Sequence, residues 1–166
     1  MNHYNDIPPV SETLVDAIKS QLETITVANG YWNTVGEVYT SLAQRATTPK
    51  WPAIEVVTGR EDTENEDMGD QALHKVLNIR LLCYQLPNAP TQDQARTFQQ
   101  RMKADIEYLF GNNPSLKDSN GDSRCFNSIV AGAAPFPRLD GQNYNGIMVD
   151  VRVWYRQDLK DPSVQV

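Results

Sequence analysis

The sequence predicts an α+β fold in which a mostly antiparallel sheet of about five strands carries two helices on one face. Two segments place apolar residues at helical spacing, which is typical of amphipathic helices. Five other runs alternate apolar and polar residues, and most follow one another without a crossover helix, which favours antiparallel pairing. The predicted order of elements is α-β-β-β-α-β-β.

Length and charge limit the classes of function. The 166 residues suit one domain over residues 10–158, preceded by a flexible arm (1–9) and followed by a tail (159–166). A net charge of −6 argues against nonspecific nucleic-acid binding, which relies on clustered basic residues, and we expect no sequence-specific nucleic-acid binding. No apolar run is long enough to cross a bilayer, and Met1 to Asp6 lacks the features of a signal peptide, so we expect synthesis in the cytoplasm and no membrane partner.

The first half of the chain contains one helix and three strands. Ser11 is an N-cap residue type at the start of an apolar stripe, and Asn29-Gly30 tolerates the positive φ that ends helices. The stripe consists of Leu14, Val15, Ile18, Leu22 and Ile25. The predicted strands are Val35 to Thr40, Ile54 to Thr58 and Leu73 to Leu86, of which the third is the longest and lies centrally in the sheet.

The second half contains the other helix and two strands. Thr91 and Gln94 form a capping-box pattern, and Gly111 is expected to stop the helix. Its apolar stripe consists of Ala95, Phe98, Met102, Ile106 and Leu109. The last strands are Arg124 to Ala131 and Gly146 to Arg156, and the latter alternates Ile147, Val149, Val151, Val153 and Tyr155 inward with Asp150, Arg152 and Arg156 outward.

An acidic segment from Gly59 to Asp70 separates the second and third strands. It contains six acids and one arginine, a net charge of −5 out of the chain's −6. Unpaired carboxylates are costly to bury, so the segment is predicted to be a solvated loop, longer than an ordinary hairpin turn. A loop of this length inside a domain indicates a contact surface or an unstructured link.

Residues suited to catalysis or metal binding are sparse. His74 is the one credible histidine, on a strand without an evident nucleophile or acid beside it, and no glycine-rich phosphate loop exists. Asp62, Glu64, Glu66 and Asp67 fail the calcium-loop spacing, and Asp118 to Asp122 matches it only in part. Cys83 and Cys125 read as buried free thiols. We therefore predict no catalytic, cofactor-binding or metal-binding residues.

Several short phrases in the predicted order resemble a known family. They are Ala28-Asn29-Gly30-Tyr31, Val35-Gly36-Glu37-Val38-Tyr39, Pro52-Ala53-Ile54-Glu55-Val56, Leu81-Leu82-Cys83-Tyr84, the helix Phe98 to Phe110, and Val149-Asp150-Val151-Arg152-Val153-Trp154-Tyr155-Arg156. Over most of residues 10–158 the chain resembles the tail terminator (tail completion) proteins of long-tailed bacteriophages. The match is one of element order, length and these phrases.

The resemblance implies a structural virion protein of the tail or neck, without catalytic residues or cofactors. Its copies would close into a homohexameric ring that caps the head-proximal end of the tail tube and stops tube growth. The ring would contact the tail tube protein, the neck or head connector and, in contractile tails, the sheath, while DNA passes through it. The alternatives are another neck, head–tail connector or head-completion protein and, more distantly, a small soluble enzyme or ligand-binding domain using a cleft between helices and sheet.

Two groups of residues are predicted to form interfaces. The acidic segment would meet a basic patch on a neighbour or line the channel, where carboxylates repel DNA phosphates within a Debye length of about 8 Å. The tryptophans would anchor contacts between subunits, or else pack in the core or at the edge of the domain. The predicted interface residues are Arg60, Glu61, Asp62, Glu64, Glu66, Asp67, Asp70, Trp32, Trp51 and Trp154.

Overall fold

The described part of the chain contains two α-helices and five strands. The computed structural model describes residues 9–40, 50–67, 72–85, 91–136, 145–158 and 165, so Asp70 and most of the predicted arm and tail lie outside it. The elements are α1 (Val10–Leu22), β1 (Glu37–Tyr39), β2 (Ala53–Asp67), β3 (Ala72–Tyr84), α2 (Gln92–Asn112), β4 (Asn127–Pro135) and β5 (Gly146–Asp158). No helix among these residues is long and apolar enough to span a membrane.

Helix α1 differs from its prediction at both ends. Pro9 occupies the N-cap position without a side-chain cap, so Ser11 lies inside the helix. The helix ends at Leu22 because the β-branched residues from Thr24 to Val27 disfavour helix continuation. A short 3₁₀ turn, Val27–Asn29, follows, and Gly30 ends that turn with a φ of 91°.

Helix α2 begins as predicted. The Thr91 hydroxyl accepts a hydrogen bond from the Gln94 backbone N–H at 3.2 Å. The helix continues to Asn112, one residue beyond Gly111, which has no positive φ. The predicted stripe faces the core, with Met102 and Ile106 fully buried.

The five strands form one mixed sheet in the order β1-β2-β3-β5-β4. Strand β1 pairs with the start of β2 in parallel, and the other three pairs are antiparallel. The central position predicted for β3 is confirmed, although β2, with 15 residues, is the longest strand. Strand β4 begins three residues later than predicted and ends at Pro135.

Both helices pack on the same face of the sheet. Helix α1 contacts β1 and β2, and α2 contacts β4 and β5. The alternation predicted for β3 and β5 is confirmed, since Leu77, Leu81 and Val149 are buried in one cluster with both helices. The opposite face has no helix among the described residues and carries polar side chains such as Arg80 and Arg152.

The predicted acidic loop is wrong for residues 59–67, which belong to β2. These residues pair with β3 as far as Asp67 opposite Ala72. The backbone of β3 offers a full ladder of hydrogen-bonding groups, and Glu61 and Glu64 keep contact with solvent while they lie in the strand. Local charge therefore did not prevent strand formation. Residues 68–71, which join the two strands, lie outside the described residues.

Candidate functional site

The acidic half of β2 contains two irregularities that redirect its side chains. The register shifts between Thr58 and Glu61 and again between Thr63 and Asn65. Such bulges insert extra residues and change which face the following side chains occupy. After the first bulge, Glu61 lies opposite the buried Leu77 and so shares the helix-bearing face of the sheet.

Glu61 is held by neighbours in its own chain. Lys75 Nζ donates a hydrogen bond to Glu61 Oε1 at 2.6 Å, and the Tyr155 hydroxyl donates one to Oε2. Burial tends to raise the pKa of Glu61, but the bonds from Lys75 and Tyr155 outweigh burial, so this pKa lies below its ordinary value. Burial and the nearby Glu61 carboxylate raise the pKa of Tyr155. Glu61 is therefore a structural residue of the sheet.

The other acids of the segment differ in how far they are engaged. Asp62 forms an ion pair with Arg60 and accepts a hydrogen bond from Asn78 Nδ2 at 3.3 Å. Glu64 is exposed, and its carboxylate has no ion-pair or hydrogen-bond partner among the described residues. For Glu66 and Asp67 the structure gives the backbone pairing with β3 and no more. Among the acids whose side chains the structure describes in this segment, Glu64 therefore carries the unpaired negative charge.

Trp32 belongs to an ordered surface built around a buried carboxylate. Asp105 on α2 is 2% exposed. Its Oδ1 accepts the Trp32 backbone N–H at 2.8 Å, and its Oδ2 accepts the Asn33 backbone N–H at 2.9 Å and Asn33 Nδ2 at 2.7 Å. Three donors on one carboxylate fix the segment before β1 against α2. Asp105 was absent from the predicted interface residues.

Aromatic and cationic side chains cover this anchored segment. The Arg101 guanidinium carbon lies 5.1 Å from the centre of the Trp32 ring, and Tyr31 meets Tyr108 edge to face at 5.6 Å. Trp32 is 64% exposed and Tyr108 is 59% exposed. We call Tyr31, Trp32, Arg101 and Tyr108 the aromatic patch. It combines residue types that are enriched where binding energy concentrates in interfaces.

The other two tryptophans lie elsewhere. Trp154 is half-buried on the sheet face opposite the helices, and its carbonyl accepts a hydrogen bond from the Phe126 N–H at 2.9 Å. His74 stacks on Phe126 at 6.4 Å and accepts a hydrogen bond from Arg156 Nε at 3.0 Å. Trp51 is half-buried just before β2. The three tryptophans therefore do not form one surface.

The aromatic patch and the acidic end of β2 lie at opposite ends of β3. Gln85, which follows β3, lines a groove together with Asn33 and Arg101 of the patch region. The acidic residues pair with the other end of β3, from Ala72 to Leu77. A strand of 13 residues is about 40 Å long at roughly 3.3 Å per residue. The two surfaces are too far apart to meet within one chain.

The described residues provide little for catalysis or metal binding. They contain no cluster of three or more His, Cys, Asp or Glu side chains able to hold a metal ion. The partial calcium pattern is a closed turn, because Asp118 accepts the Asn120 and Asp122 backbone N–H groups and pairs with Arg124 at 2.6 Å. Backbone hydrogen bonds, first from Asp122, lower the pKa of Asp118. His74 already accepts a hydrogen bond from Arg156 and stacks on Phe126.

The described surface also has shallow grooves, and the two cysteines are buried. One groove of about 440 Å³ lies on the open sheet face beside Arg80 and Asp150, and one of about 620 Å³ lies beside α1 and Leu116. The space between the helices and the sheet is filled by core side chains. Cys83 and Cys125 are free and buried, as predicted, and burial raises the pKa of both thiols, that of Cys125 to about 12.

Known proteins give no direct assignment. No protein-family model matches this chain, and no curated protein matches it. The resemblance to tail terminators therefore stays a prediction. Any function has to be inferred from the surfaces described above.

The Glu61 contacts predict a pH-dependent contribution to stability. We expect Glu61→Gln to lower the free energy of unfolding by about 1–2 kcal/mol at pH 7, because two hydrogen bonds to a carboxylate are weakened. A pKa held below 4.5 in the folded state stabilises the fold above that pH, and this contribution disappears as the pH falls through the lower folded value. Urea titrations at pH 7 and pH 3 measure the effect. If the difference in the free energy of unfolding between wild type and variant is as large at pH 3 as at pH 7, the prediction is contradicted.

Proposed function

We propose that this chain is a ring-forming structural subunit, a tail terminator that caps the tail tube of a long-tailed bacteriophage. The observation that carries the proposal is the placement of two unlike surfaces, acidic β2 and the aromatic patch with Arg101, at opposite ends of β3. A contact between unlike surfaces on successive copies is heterologous. Heterologous contacts form a closed ring when a whole number of copies, each rotated by the same angle, completes a full turn.

The surface that stays exposed after binding distinguishes a terminator from the tube that it caps. A tube grows because each added ring presents the same surface as the last, so growth stops when a ring presents a different one. This subunit has an open sheet face whose polar side chains, among them the Arg80–Asp150 ion pair at 2.7 Å, differ from its helix-covered face. Such two-sidedness suits a ring that binds a tube on one side and a neck or connector on the other.

The charge of β2 is compatible with a DNA channel. Carboxylates along a channel wall repel DNA phosphates, so a passing duplex is not retained. Glu64 offers this charge, since Asp62 and Glu61 are paired within the chain. In the proposal, the acidic segment serves the contact between subunits, and whatever part of it that contact leaves uncovered repels DNA in the channel.

The experiment that tests this function combines native mass spectrometry with negative-stain imaging. The protein is measured alone and after mixing with tail tubes of the phage that encodes it. We expect rings on one end of each tube and a fixed tube length when the protein is present during tube assembly. Tubes that stay uncapped and lengthen without limit overturn the proposal. Binding to DNA-filled heads without tails, in place of tubes, also overturns it and indicates a connector.

A charge-neutralised variant tests the acidic segment within that function. We expect Glu64→Gln, Glu66→Gln and Asp67→Asn together to reduce capping at least tenfold while the thermal midpoint changes little, because Glu61 and its bonds are retained. The matched control neutralises three exposed acids elsewhere: Glu12→Gln, Glu23→Gln and Asp122→Asn. Equal capping by both variants in electron micrographs shows that the segment is dispensable.

A further inference from the structure

We propose that the aromatic patch of one copy binds the acidic segment of a second copy of this chain, at Glu64 of β2. The inference rests on the proposed ring and names the surfaces that join neighbouring subunits. The occupant is a strand from an identical chain, and the contact is head to tail.

The patch is rigid before any partner arrives. Asp105 accepts hydrogen bonds from the Trp32 and Asn33 backbone N–H groups at 2.8 and 2.9 Å and from Asn33 Nδ2 at 2.7 Å, which fixes this segment. The Arg101 guanidinium lies over the Trp32 ring, and Tyr31 meets Tyr108 edge to face, so the exposed rings are already positioned. A pre-organised surface loses little conformational entropy on binding, which favours affinity per contact.

Charge favours the acidic segment as the occupant. Arg101 and Arg96 are exposed on α2, and neither has a carboxylate partner among the described residues, whereas Lys103 already pairs with Glu107 at 3.5 Å. Glu64 is the matching case, an exposed carboxylate without a partner in the described part of its own chain. Complementary charges on two surfaces of one protein steer the surfaces together.

Distance requires a second chain. The two surfaces lie at opposite ends of β3, so one copy cannot satisfy its own patch. Patch-to-patch contact is disfavoured because it brings two Arg101 cations into one interface without a counter-charge, and two acidic segments repel each other in the same way. The pairing left by these constraints is heterologous, which agrees with ring closure.

A charge swap tests the contact. Arg101→Glu and Glu64→Arg should each weaken association between copies at least tenfold. Association is measured in solution and on tail tubes, by sedimentation and native mass spectrometry, at 50 mM and 300 mM NaCl. The double variant, which exchanges the charges, should recover to within about threefold of wild type. Lys103→Glu is the control on the same helix and should leave association unchanged. Circular dichroism confirms that each variant is folded.

The outcomes separate this contact from the wider function. Single swaps that leave association unchanged, or a loss that the double variant does not recover, overturn the contact, and rings that still cap tubes then leave the terminator function standing. Copies that associate through the patch without capping tubes overturn the function and support the contact. Wild-type protein that associates neither in solution nor on tubes overturns the contact.

Discussion

Replacing Gly146 with alanine is expected to lower the free energy of unfolding by about 3 kcal/mol. Gly146 begins β5, opposite Tyr84 of the central strand. A Cβ atom there would overlap the backbone carbonyl oxygen of Cys83 and the ring of Phe136. The carbonyl belongs to a paired strand and cannot rotate away, so relief requires moving β5 or breaking the contact between the Tyr84 and Phe136 rings, whose centres are 5.0 Å apart.

Gly132 provides the matched control for this substitution. It lies on the edge strand β4 with a φ outside the left-handed region, and a Cβ atom there would meet nothing within 4 Å. Gly132→Ala should therefore be neutral or slightly stabilising, since alanine restricts the unfolded chain. Chemical denaturation of the two variants and the wild type measures both effects. A Gly146→Ala variant as stable as Gly132→Ala would show that β5 moves freely at its start.

The sequence predicted those elements whose period is long and regular. The alternation of β5 and the stripe of α2 each extend over more than ten residues, so the pattern determines both the element and its buried face. The end of α1 was placed too late because Ile25 fits the helical spacing, yet it is buried from the turn that follows the helix, where its N–H bonds to the Leu22 carbonyl. Spacing alone does not distinguish these two cases.

The acidic segment was missed because its structure depends on its neighbour. No local preference favours a strand in Glu-Asp-Thr-Glu-Asn-Glu-Asp, and the backbone adopts one because β3 supplies hydrogen-bonding partners. Lys75 and Tyr155, which hold Glu61, come from two other strands. Contacts between distant parts of the chain are not visible in the composition of a segment.

The sequence contains a signal for Asp105, the residue that anchors the aromatic patch. Phe98, Met102, Asp105 and Leu109 follow the spacing of a buried helix face, so a carboxylate stands within an apolar stripe. A buried charge requires partners, and this position therefore marks a polar contact. The sequence does not name the donors, because Trp32 and Asn33 precede Asp105 by more than 70 residues.

Asp105→Ala is expected to lower the free energy of unfolding by about 3 kcal/mol and to release the aromatic patch. The substitution removes the acceptor of three hydrogen bonds and leaves the Trp32 and Asn33 N–H groups without a partner at the helix surface. Asp105→Asn keeps one acceptor oxygen, but its new NH₂ group faces N–H groups that also donate. We therefore expect the free energy of unfolding to fall by about 2 kcal/mol. Urea denaturation gives both values.

The mobility of Trp32 in the folded variant distinguishes release of the patch from a general loss of stability. Below the unfolding transition, Trp32 in Asp105→Ala should show lower fluorescence anisotropy in a background where Trp51 and Trp154 are phenylalanine. Glu107→Ala on the same helix is the control, because it removes only the exposed pair with Lys103 and should cost less than about 0.5 kcal/mol. If Asp105→Ala keeps the anisotropy of the wild type, the carboxylate does not order the patch. The rigidity inferred for the contact between subunits would then need another source.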